Sequence, residues 1–153
     1  MRKFLAIFVL ICGTALGADF TLTQVKNQDS GTEAEGTAGA TITAGDVLYA
    51  DPTDSNKLKL ASSATKVTSK VVGIALHDSI SGRHIRYQTD GLITLFSADT
   101  FADAEQVVLS ATAGKLAPDA DLDSGDFVTF LGVGEASGTK MHIKILNTGI
   151  QKP

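Results

Sequence analysis

Short apolar runs alternate with polar positions along most of the chain, and clusters of turn residues separate them. A period of two puts successive side chains on opposite faces of a strand, so the pattern predicts β structure. Residues 20–25 (FTLTQV) set Phe20 and Leu22 against Thr21 and Thr23, a first strand. Residues 26–39 (KNQDSGTEAEGTAG) are polar, glycine-rich and aperiodic, and are expected to be an exposed arm or loop. Strands follow at 47–50 (VLYA), 58–61 (LKLA), 71–76 (VVGIAL), 84–89 (HIRYQT) and 92–98 (LITLFSA). A second series runs through 106–110 (QVVLS), 115–118 (KLAP), 127–134 (FVTFLGVG) and 140–146 (KMHIKIL). Only residues 99–106 (DTFADAEQ) suggest a short helical turn, and no long amphipathic helix is expected. The fold class this predicts is all-β, a compact barrel or sandwich.

The two series read alike. DVLYA corresponds to QVVLS, NKLKLA to GKLAP, and VVGIAL to TFLGVG with Gly73 over Gly132. HIRYQTDGL at 84–92 overlays HIKILNTGI at 142–150 without a gap, matching His84 with His142 and Gly91 with Gly149. The chain therefore carries two tandem β units, about 41–98 and 99–150, each too small to bury a sheet face alone. Residues 18–40 are expected to form an N-terminal strand and flexible arm before the β domain of 41–153.

The N-terminus changes the picture of where such a domain works. Met1-Arg2-Lys3 is positive, Phe4 to Ile11 is apolar, and Ala15-Leu16-Gly17 puts small residues at a cleavage site. That is the layout of a secretory signal peptide, cleaved after Gly17. The alternative is an uncleaved apolar arm that packs into an assembly. The apolar run is too short for a stable transmembrane helix, so no membrane anchor is expected after cleavage. Cleavage would remove Cys12, the one cysteine, and exclude disulfides and a thiol nucleophile. The net charge of −4 and the lack of Lys/Arg clusters argue against a nucleic-acid partner.

Candidate chemistry is sparse. His84 and His142 fall on the polar faces of their strands, where they are either amphipathic surface residues or the makings of a metal or pH-sensitive site in an oligomer. Gly73 and Gly132 lie inside apolar strands and suggest bends or close backbone approach. In PDADLDSGD (118–126), Asp119, Asp121 and Asp123 start like a calcium loop. The glycine comes one place late and Phe130 stands where the bidentate Glu belongs, which excludes an EF-hand and leaves a looser calcium site or a solvated loop. No G-x-S-x-G, P-loop or H-E-x-x-H is present. No enzyme activity and no cofactor are expected.

The order GDVLYAD, NKLKLA, VVGIALHDSISGRHIRYQTDGLITL and VVLSATAGKLAPDADLDSGDFVTFLGVG resembles the decoration (cement) proteins of tailed-bacteriophage capsids. The resemblance, over about residues 40–150, is to the small group with a β-tulip or compact barrel fold. It implies a homotrimer on the capsid exterior that binds the major capsid protein and locks neighbouring subunits together. It also implies an N-terminal arm reaching a neighbour, with Phe20, Leu22, Val25, Asp29, Glu33 and Glu35 as the candidate contacts. The signal-like N-terminus departs from this picture and points to an exported surface or filament protein instead.

Overall fold

The computed structural model describes residues 19–20, 22–27, 31–97, 101–135 and 138–153, leaving out the side chains of residues 23–27, 96 and 97. The signal-like segment lies outside the described residues. The fold is all-β. Among the described residues there are ten strands: β1 (Leu22–Asn27), β2 (Thr32–Thr37), β3 (Val47–Asp51), β4 (Lys57–Leu60), β5 (Val71–Ala75), β6 (His84–Ser97), β7 (Gln106–Leu109), β8 (Leu116–Pro118), β9 (Phe127–Gly134) and β10 (Lys140–Gln151). Eight make a curled, half-barrel antiparallel sheet in the order β4-β3-β5-β6-β10-β9-β7-β8, and β1 and β2 both pair with β6.

That order is a palindrome of the two units. β4-β3-β5-β6 is mirrored by β8-β7-β9-β10, and β6 pairs with β10 at the centre, with Lys144 opposite Asp90. Register repeats in detail. Val47 faces Ile74, Leu48 faces Gly73, and the ladder slips before Tyr49 faces Val71. In the second unit Gln106 faces Val133, Val107 faces Gly132, and the same slip precedes Val108 facing Phe130. A bulge kept at the same place in both units bends both sheets alike.

The closing strands match differently from the gapless overlay of His84 on His142. Ile74 pairs with Gln88, and its counterpart Val133 pairs with His142. Gln88, not His84, holds the place of His142. The cause is a longer connection in the first unit, where residues 76–86 join Ala75 to Tyr87 but only residues 135–140 join Gly134 to Met141. Gly91 and Gly149 are both left-handed (φ 90° and 66°), but Gly91 lies opposite Ile143 in the central pairing, beyond which β10 still runs to Gly149. Sequence likeness there reflects amphipathic strand chemistry more than position.

The two units bury opposite faces. Val47, Tyr49, Val71 and Ile74 of the first unit share the main core with Val107, Leu116, Leu131 and Met141 of the second. By register, however, Val107, Leu116 and Met141 correspond to Leu48, Leu58 and Tyr87, which lie on the other face of the first unit. The units therefore stack head to tail, one front against the other's back. A shared core of this kind lets two small sheets each bury a face.

The first unit's remaining face is covered by the chain itself. Ala38 and Ile42 are buried against Leu48, Leu58, Ala75 and Ile85. Backbone bonds fix them there: Gly39 N–H donates to Leu58 O at 2.7 Å, and Ile42 N–H to Ser79 O at 2.8 Å. Phe20 closes the far end, donating its N–H to Leu116 O at 2.9 Å and packing its ring 4.6 Å from that of Phe101. Residues 32–37, expected to belong to a flexible loop, form β2. Its Ala34 and Gly36 are half-buried between exposed Glu33, Glu35 and Thr37, a strand alternation too small in apolar bulk to show as one. Around 99–106, the described residues 101–106 hold a turn with Ala104 at φ 59° rather than a helix. The one helical turn among the described residues is a 3-10 turn at Asp119–Asp121.

Candidate binding surface

The second unit's remaining face is open. Phe130, Val133 and Leu146 line a shallow groove of about 340 Å³, with Gln106, Gly132 and Lys144 at its edges. Val133 is 42% exposed and Leu146 58%. Gln106, Phe130 and Val133 are the register counterparts of Val47, Val71 and Ile74, which the second unit covers in the first. Leu122 after the 3-10 turn covers part of this face, packing with Val108, Ala117, Val128 and Phe130. The remainder presents aliphatic side chains to solvent between charged neighbours, notably Lys144, paired with Asp90 at 3.2 Å, and His142, paired with Glu135 at 2.7 Å.

The residues expected to form a partner-binding arm are distributed otherwise. Phe20 is buried in this chain's own core and is not available as an arm contact, because its ring fills space beside Phe101. Leu22 is half-buried against the same core, and the backbone of Val25 pairs with Leu95. Asp29 lies outside the described residues. Glu33 and Glu35 do face outward, but each meets a side chain of β6: Arg86 at 3.3 Å and His84 at 3.2 Å. These exposed pairs register β2 on β6, and contribute little stability singly.

The histidines are not brought together. His142 sits at the centre of the sheet beside Glu135, whereas His84 stands at the start of β6, its ring stacked 6.3 Å from that of His77. No three His, Cys, Asp or Glu side chains among the described residues are grouped to hold a metal ion. In the acidic loop, Asp126 accepts from the Asp123 N–H and from Ser63 Oγ, so its carboxylate serves the loop and the seam between units. Burial, with the charges of Asp19, Asp123 and Asp126, holds the Asp121 carboxyl above the usual range.

Both strand glycines are close-approach positions. A Cβ on Gly132 would lie 2.0 Å from the His142 carbonyl oxygen, and one on Gly73 would lie 2.6 Å from that of Gln88. Their role is to let β9 and β5 pass tightly over the closing strands.

Two features went unread in the sequence. Asn147 bridges the units through the backbone of Val71, and a cluster of Asp51, Asp54, Lys57 and Lys59 clamps the β3–β4 turn. The second had a signal in DPTDSNKLK, where acids and lysines alternate around a tight turn. Lys59 and Thr53 hydrogen bonds lower the Asp51 pKa to about 2, and Asp54 is lowered by Lys57 and Lys59. The exposed apolar surface of the second unit lies on β9 and β10, with Gln106 of β7 at its edge. No known protein family matches the sequence, and neither a curated protein nor a solved structure matches it.

Proposed function

We propose that this chain is a non-enzymatic structural protein that decorates a tailed-phage capsid, binding the major capsid protein on the outside of the head. Its copies, as the homotrimer that the resemblance implies, hold neighbouring capsid subunits and stabilise the shell. The observation that carries a binding role is the bare aliphatic face of the second unit, whose counterpart in the first is fully covered. The motif order from GDVLYAD to FVTFLGVG supplies the phage context. A protein that binds only the assembled shell stabilises it by mass action.

The test is to add purified protein to shells that lack it and to follow sedimentation and shell melting. Saturable co-sedimentation with a raised shell melting temperature is expected. Protein that stays in the supernatant at all concentrations contradicts the proposal.

A second reading has its own observation. The Met1–Gly17 layout favours export and a role on a cell surface or in an extracellular filament. Intact mass separates the two: a chain beginning at Ala18 in the medium and absent from particles supports export.

A further inference from the structure

We propose that the open face of β7, β9 and β10 pairs with the same face of a second copy of this chain across a two-fold axis. It rests on the reading that this surface binds, and gives it a second copy as its cover in protein that is not bound to a shell. The first support comes from within the fold. Val47, Val71 and Ile74, the counterparts of Gln106, Phe130 and Val133, are buried by another β unit of the same chain. Positions equivalent to the open face are thus already seen to take a β sheet of this protein as their cover.

The second support is elimination by packing. Continued head-to-tail stacking would require the open face of one copy to meet Leu48, Leu58 and Ala75 of the next. Ala38 and Ile42 already occupy that surface and are themselves buried there, so the stack is capped at one end. Stacking of the internal kind therefore stops at one chain, and a bare face that meets its like instead closes at two copies.

The third is the rim. Groups of both signs lie beside the apolar centre: Lys144, with its side chain 85% exposed, paired with Asp90, and Glu135 paired with His142. A two-fold axis through the groove brings Lys144 of one copy toward the carboxylates of the other, around a centre of Phe130, Val133 and Leu146. This contact is independent of the three-fold contact implied by the capsid resemblance, since either can exist without the other.

Sedimentation of the full chain over a wide concentration range tests the pairing, alongside Leu146→Lys, Val133→Lys and, as a control on another exposed aliphatic residue, Ile80→Lys. Reversible self-association is expected for the wild type and for Ile80→Lys. Leu146→Lys and Val133→Lys should each raise the dissociation constant at least about tenfold, with thermal unfolding of the monomer unchanged. In a Cys12→Ser background, Leu146→Cys should form a disulfide-linked pair on oxidation, and Ile80→Cys should not. A wild type that remains monomeric throughout overturns the proposal, as does self-association that both lysine variants leave intact. Should Leu146→Lys abolish shell binding by a chain that never self-associates, the face belongs to the capsid subunit; the pairing fails and the decoration reading stands. Self-association without any shell binding, lost in both lysine variants, upholds the pairing and overturns the decoration reading.

Discussion

The carboxamide of Asn147 in β10 meets the backbone of Val71 in β5 with both of its polar atoms. Oδ1 accepts the Val71 N–H at 2.8 Å, and Nδ2 donates to the Val71 carbonyl at 3.0 Å. A side chain here does what a neighbouring strand would do, satisfying a backbone unit at the start of β5 and tying the second unit to the first. Thr129 strengthens the same seam by donating its hydroxyl to Ser69 O at 2.8 Å. The Val71 N–H also lies 3.0 Å from Ser69 O, so the group that depends most on the amide is the Val71 carbonyl, and losing such a bond costs about 1–3 kcal/mol. Asn147→Ala should therefore lower unfolding stability by about 1–3 kcal/mol, measured by chemical denaturation, with Asn147→Asp losing the donor alone.

The glycines at the paired bulges differ in how much room they have. Gly132→Ala places a methyl 2.0 Å from the His142 carbonyl oxygen, whereas at Gly73 it would meet Tyr87 Cδ2 at 2.5 Å and the Gln88 carbonyl oxygen at 2.6 Å, so the backbone must yield at both but further at Gly132. Overpacking of this kind costs about 1–3 kcal/mol or more. Gly132→Ala is expected to be the more destabilising by thermal melting, and Gly82→Ala, with nothing within 4 Å, the least, its cost arising from a φ of 83°.

Phe20 separates an arm that binds a partner from a segment that completes the core. Its ring is 6% exposed, and Phe→Ala in a core costs about 3–5 kcal/mol. Phe20→Ala should lower the stability of the isolated protein by about that amount. Unchanged stability, with a loss confined to partner binding, would restore the arm role.

Acid should loosen the β3–β4 turn. The Asp51 carboxyl is held down to about 2 by hydrogen bonds from Lys59 and Thr53, below its ordinary 3.8. A depressed pKa means the folded state prefers the charged form. Its stabilising contribution is full above about pH 4 and is lost as pH falls toward 2. Asp51→Asn should flatten the stability profile between those values while leaving the rest of the curve in place, as read by denaturation at successive pH values.

Much of this architecture was legible in the residues because each strand of the half-barrel buries at least one face. β3, β5, β7 and β9 fall where alternation and turn residues place them, and the register of Gly73 and Gly132 follows from the same pattern. What was hidden depends on tertiary partners. Ala34 and Gly36 carry β2 with almost no apolar bulk, because β6 offers them a ladder. The overlay of His84 on His142 failed because connection length, invisible to a gapless match, shifts one strand against the other. The open groove was unreadable for a further reason: equivalent positions such as Ile74 and Val133 are both aliphatic, and only the packing of the units decides which is covered.

Thiol labelling at that equivalent pair is the most direct measurement. In a Cys12→Ser background, Ile74→Cys and Val133→Cys are compared in dilute protein and in the assembled state, on particles or in self-associated protein. Head-to-tail stacking with a working open face predicts that Ile74→Cys is protected throughout, while Val133→Cys reacts readily in dilute protein and is protected on assembly. Equal labelling of the two sites in dilute protein would contradict the opposed faces, and undiminished labelling of Val133→Cys on assembly would contradict the role of the bare one.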